Sequence, residues 1–169
     1  MDGERWLAAC HTDPSAIRAQ WATAPHLASI PAGIRFDVLR LLQPLALNVL
    51  WELGDVADKT PVLEEHCPPR PVLYLLAEPG TAAAWPPDAH STWLTTGHIL
   101  TCPSPDADAI AGVQRHAFLW RTPPDGIRQP AATDLLLTAY RHARDPERQA
   151  ARIRAARSVF WGTQRARHT

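Results

Sequence analysis

The chain has 169 residues, 46% hydrophobic and 20% charged, with no formal net charge at pH 7. That length suits one domain with its own core, and no apolar run approaches the roughly 20 residues that span a bilayer, which argues against a membrane partner. Seventeen Pro is about twice the usual share of about 5% and predicts many short elements joined by rigid loops.

The charge is unevenly spread. Residues 141–169 carry eight Arg against Asp145 and Glu147, a net +6, which leaves −6 on the rest. Such segregation marks a basic arm for an acidic partner. The chain has a single Lys, Lys59, beside abundant Ala, Arg and Pro, a composition that GC-rich codon usage also produces. Three Cys, at 10, 67 and 102, form no CxxC pair. An odd, sparse set suits free thiols in a reducing compartment, and the acidic opening Met1 to Trp6 lacks the apolar run of a secretory signal, so a cytoplasmic location is expected.

In chain order, residues 1–12 carry Trp6, Leu7 and Cys10 without a clear period. Asp13-Pro14 opens a helix, with Asp at the N-cap and Pro in the first turn. Helical spacing puts Ile17 and Trp21 toward the core, and Pro25 ends the segment. A Pro31-Ala32-Gly33 turn leads into a strand over 34–41 that holds one acid, Asp37, between Phe36 and Val38. Pro44 starts a helix to Leu53 with Leu47, Leu50 and Trp51 as its expected buried face, closed by Gly54. Residues 55–70 read as a linker or a broken edge strand around Val62-Leu63.

Val72 to Leu76 is apolar throughout and predicts a strand buried on both faces. Thr81 to Trp85 reads as one helical turn stopped by Pro86-Pro87. Further strands are expected at His98–Cys102 and Ala117–Trp120, then helices from Thr133 or Asp134 and from Asp145-Pro146 to about Gly162. The spacers between strands are Pro-rich turns rather than helical crossovers. The expected fold is therefore α+β, a mostly antiparallel or mixed sheet with flanking helices covering one side. Residues 1–140 form the body, and an Arg-rich helix and tail at 141–169 pack on it or extend from it.

Four pieces, over about residues 10–121, resemble in order the N-terminal domain of the bifunctional DNA primase/polymerases, in its short actinomycete form. They are Thr12 to Trp21 (an Asp-Pro helix ending in Trp), Ile30 to Leu53 (Gly turn, acidic strand, helix), Val72 to Leu76 followed by Pro79-Gly80-Thr81, and Thr96 to Pro105. Phe118-Leu119-Trp120 follows where the family often has an aromatic-Trp strand. The resemblance implies a primase/polymerase-like sheet with its metal site on the strand that carries Asp37. The family holds divalent metal with an Asp-x-Asp/Glu pair, and this chain has Asp37-Val38-Leu39. Two-metal phosphoryl transfer needs several oxygen ligands around ions about 3.5–4 Å apart. The phosphate-binding His of the family's second strand is also missing, and no third acid is recognisable near His98 to Ser104. A degenerate relative without polymerase chemistry is the expectation.

Candidate residues follow. Asp37 is either a partly exposed structural Asp, the favoured reading, or a residual Mg²⁺ or Mn²⁺ ligand. His98, beside Gly97, either contacts phosphate or bonds a neighbouring carbonyl. Cys10-His11 with His66-Cys67 offers zinc-type ligands without the usual loop spacing, so no metal site is assigned. Dinucleotide, P-loop and serine-elbow motifs are lacking. Of seven Trp, most are expected in the core, with Trp85 and Trp93 exposed beside Pro-rich loops. Arg141, Arg144, Arg148 and Arg152 share a stripe at helical spacing, suited to nucleic-acid phosphates or to a solvated face.

The expected function is a non-catalytic primase/polymerase-like module that binds DNA, RNA or a regulatory partner, without a cofactor. The alternatives are an enzyme using a cleft near Asp37 and His98 (a minimal nucleotidyltransferase or a small-molecule biosynthetic enzyme), and a protein-interaction partner using exposed Trp loops.

Overall fold

The computed structural model describes residues 2–66, 70–107 and 117–165, with side chains through 155. Its elements are α1 (Gly3–Ala8), α2 (Pro14–Ala22), β1 (Leu27–Pro31), β2 (Asp37–Leu42), α3 (Gln43–Leu53), a 3-10 turn (Gly54–Lys59), β3 (Val62–Glu65), β4 (Val72–Ala77), α4 (Thr81–Ala84), β5 (Ser91–Leu94), β6 (Ile99–Pro103), β7 (Phe118–Thr122), α5 (Thr133–Arg144) and α6 (Pro146–Arg165). Five strands form an antiparallel sheet in the order β5-β2-β4-β3-β7, and β1 pairs with β6 in a separate two-stranded ribbon. The α+β class with antiparallel sheets is as expected. No helix among the described residues is long and apolar enough to cross a membrane.

The sheet is covered on both faces, not on one. Strand alternation explains why, because both side-chain sets of the central strands are apolar. Val38, Leu63, Leu76 and Trp120 face a core built from α1, α2 and the β1–β6 ribbon. Leu39, Leu41, Leu73 and Leu75 face a second core built from α3 and α5. The strand at Val72–Ala77 is buried on both faces, as its composition predicts.

Residues 62–65 are not a linker or an edge. β3 lies between β4 and β7, and Val62, Leu63 and Glu64 are buried. The strand over His98–Cys102 is also displaced from the main sheet, since β6 pairs with β1. Indole N–H groups lock the ribbon in place: Trp21 Nε1 donates to the Cys102 carbonyl at 3.1 Å and Trp120 Nε1 to that of Pro103 at 2.9 Å.

The helix starts follow the sequence logic. Asp13 Oδ1 accepts from the amides of Ser15 (3.0 Å) and Ala16 (3.3 Å), and Ile17 and Trp21 are buried. These bonds, led by the Ser15 hydroxyl, hold the Asp13 carboxyl below its ordinary pKa. Gly54 ends α3 at φ 56°. The loop before α5 returns to β4, where Ala131 N donates to the Leu76 carbonyl at 2.8 Å and Glu78 N to the Ala131 carbonyl at 3.0 Å. α5 runs without a break through residues 140 and 141.

Candidate functional site

Asp37 opens β2 and is only 2% exposed, so it is a buried acid and not a partly exposed one. Its Oδ2 accepts from the backbone amides of Gly80 (2.9 Å) and Ala82 (3.3 Å), at the start of α4. A buried carboxylate needs such donors, and free amides at a helix start need an acceptor. Next to it, Thr81 Oγ1 donates to the Glu78 carbonyl at 2.6 Å and shares a hydrogen bond with Thr133 Oγ1 at 2.8 Å. The carboxylate thereby ties β2 to α4, and Thr81 ties α4 to the start of α5.

His98 is exposed and lies before β6, in the other sheet. Its Nδ1 accepts from the Thr95 amide at 3.3 Å. By strand alternation Asp37 shares the sheet face of Leu39 and Leu41, whereas the β1–β6 ribbon covers the opposite face. The two residues do not meet in one cleft.

Cys10 sits in the core, and burial pushes its thiol up to about 11. Cys102 is also buried and is pushed up further, by burial first and then by Cys10. His11 Nδ1 accepts from the Asp13 amide at 2.9 Å, His66 lies 3.7 Å from Glu64, and Cys67 is outside the described residues. No group of three His, Cys, Asp or Glu among the described residues is placed to hold a metal ion.

The Arg stripe is largely engaged within the chain. Arg144 pairs with Asp88 and lies over the Tyr140 ring at 5.6 Å. Arg148 and Arg152 each approach Glu52 to 3.6 Å, and His142 lies 3.7 Å from the same carboxylate. Glu52 is on α3 and its side chain is only 12% exposed. These contacts dock the first half of α6 against α3. Arg141 and Arg154 are exposed and have no ion-pair partner among the described residues.

The tryptophans change places relative to expectation. Trp85 is 8% exposed and packs edge-on to Trp93 at 5.0 Å, so neither presents a free ring from a loop. Trp51, expected in the core, is 68% exposed, and Leu47 is 39% exposed. The buried face of α3 is instead Ala46, Val49 and Leu53. α3 is apolar nearly all round, so periodicity offered two faces, and the sheet selected the one with smaller side chains.

The unburied face borders an open groove of about 720 Å³, lined by Leu47, Leu50 and Trp51 of α3, Asp58 of the 3-10 turn, and Arg121 and Arg152. A second hollow of about 390 Å³ adjoins it between Trp51 and Ile153. The Arg152 guanidinium lies 5.0 Å from the Trp51 ring centroid, a cation–π arrangement that steadies the indole. Arg121 approaches Glu64 to 3.7 Å, and Glu64 also accepts from Gln43 Nε2 at 2.6 Å. The signal for this site in the sequence was the Leu47–Trp51 pair, four apart on a helix that already had another apolar face.

Comparison with protein-family models, with curated proteins and with solved structures gave no match. The arrangement around Trp51 is suited to binding, with an aromatic face, aliphatic walls and guanidinium groups at the rim.

Proposed function

We propose that the chain is a non-catalytic binding module on a primase/polymerase-like framework, and that its working surface is the groove beside α3, bordered by the 3-10 turn, by Arg121 and Thr122 of β7 and by Arg152 of α6. The observation that carries this reading is Trp51, 68% exposed at the mouth of a groove bordered by Arg121 and Arg152. The single carboxylate on the β2 strand supports the non-catalytic half, because Asp37 is occupied by the Gly80 and Ala82 amides. Two-metal chemistry would need further carboxylates around it.

A primer-extension assay with Mg²⁺ or Mn²⁺ tests the first half. No extension is expected, and metal-dependent extension abolished by Asp37→Ala overturns it. A second reading, nucleic-acid binding through the basic segment, is favoured by the exposed Arg141 and Arg154 and by the +6 charge of residues 141–169. A gel shift should then weaken steeply between about 50 and 200 mM salt, and an Arg141→Glu/Arg154→Glu variant should bind more weakly at every salt concentration with a shallower salt dependence.

A further inference from the structure

We propose that a hollow at the start of α3 binds a small organic acid, its single carboxylate held by Arg40 and its compact apolar body laid against Leu42, Pro44 and Leu45. The hollow has a volume of about 350 Å³, and His90 and Thr92 also line it. It shares no lining residue with the Trp51 groove, which lies further along the same helix.

Arg40 is half-buried on β2, directly opposite Thr92 on the edge strand β5, so the two side chains stand together on one face of the sheet. Arg121, Arg144, Arg148 and Arg152 each have a carboxylate partner, whereas Arg40 has none among the described residues. Its guanidinium carbon lies 6.0 Å from the Tyr74 ring centroid. The neighbouring acids are engaged elsewhere. Glu65, on the same sheet face by alternation, accepts from the Tyr74 hydroxyl at 2.5 Å, and Asp88 pairs with Arg144 and accepts from the His90 amide at 2.7 Å. Among the described residues no Asp or Glu lines the hollow. A half-buried cation without a carboxylate beside it is compensated by an anion from outside.

The start of α3 strengthens the same field. Leu42 is the N-cap and offers no side-chain acceptor, no acid stands in the first turn, and the Gln43 amide is taken by the Pro71 carbonyl at 2.9 Å. The positive end of this 11-residue helix is at the wall of the hollow, where Pro44 and Leu45 stand.

The lining also selects the kind of anion. A guanidinium presents parallel N–H groups that match a planar carboxylate, and Thr92 and His90 offer further donors at the rim. One strong cation suits one negative charge. A phosphate monoester carries nearly twice that charge at pH 7 and would find no second Arg or Lys among the described lining residues. Leu42 is 42% exposed, so an apolar body covers a leucine that the fold leaves in water. The volume is at the low end of the range for ligand pockets, about 300–1,000 Å³, which fits a single ring or a short branched chain rather than a long acyl tail.

The probe is hydrocinnamate, compared with its primary amide, titrated into the full chain and followed in amide nitrogen–proton correlation spectra. The acid is expected to shift residues 40–45 and 89–92 saturably, and the amide, which lacks the charge, to bind at least about tenfold more weakly. Arg40→Gln should weaken the acid at least about tenfold, and Arg40→Lys, which keeps the charge without the fork, should fall between. Leu42→Asp separates binding from folding. Asp is a favoured N-cap, so α3 keeps or gains stability, while the new carboxylate repels the acid and should abolish binding. Equal binding of acid and amide, undiminished binding by Arg40→Gln or Leu42→Asp, or no saturable shift at these residues below about 10 mM acid overturns the proposal. So does displacement of the acid by an equal concentration of inorganic phosphate, or a set of shifts centred on Leu47 and Trp51 instead.

Discussion

Asp37→Ala probes the difference between a structural carboxylate and a metal ligand. In the folded chain its Oδ2 accepts two backbone N–H groups, from Gly80 at 2.9 Å and Ala82 at 3.3 Å, at a residue 2% exposed. Removing the carboxylate leaves both donors to water, since Gly80 is exposed and Ala82 half-buried. A hydrogen bond to a charged group contributes about 1.5–3 kcal/mol, and the longer bond belongs at or below the lower end, so the total is about 3 kcal/mol. For a chain of this size 1 kcal/mol moves the melting temperature by about 2–4 °C, which gives a fall of about 6–12 °C. Asp37→Asn keeps an acceptor oxygen and should lose about half as much. Urea and thermal unfolding at neutral pH read both values. Stability of Asp37→Ala within about 0.5 kcal/mol of wild type would refute the capping role. Mg²⁺ raising the wild-type melting temperature but not that of the variant would refute the assignment of this residue to structure alone.

Gly33 holds φ +80°, and a Cβ there would land on the Thr96 backbone nitrogen and Oγ1, so Gly33→Ala should destabilise by more than about 2 kcal/mol in urea unfolding. Glu52→Ala removes the carboxylate shared by His142, Arg148 and Arg152; about 1–2 kcal/mol is expected from such partly exposed pairs, appearing first as faster amide hydrogen exchange in α6. In a Cys67→Ser variant no thiol should react with a disulfide reagent at pH 8 until the chain unfolds, because Cys10 and Cys102 are buried and shifted upward. Both thiols keep a proton that the unfolded chain releases. Their contribution to stability is therefore intact below pH 9 and lost as pH rises toward about 11 for Cys10, measurable as a falling urea midpoint in alkali.

Local chemistry was legible in the residue order. Asp13-Pro14 caps α2 through bonds that reach only two or three residues, and the near-continuous apolar run Val72 to Leu76 pointed to a strand buried on both faces. The Pro-rich spacers indicated antiparallel pairing for the same local reason, since they are too short in helix to cross a sheet.

What the tertiary structure decided was partner choice. The β3 segment, four residues between breakers, became an interior strand only because β4 and β7 flank it. Asp37 owes its burial to amides 43 and 45 residues away. The Arg144–Arg152 stripe looked like a free basic face until Glu52 and Asp88 were placed beneath it. Trp51 and Leu47 lost the contest for the core to Ala46 and Val49, because a helix apolar all round carries no period that says which side meets the sheet. That choice depends on packing with α5 and the strands, and it left an indole at the surface where binding is proposed.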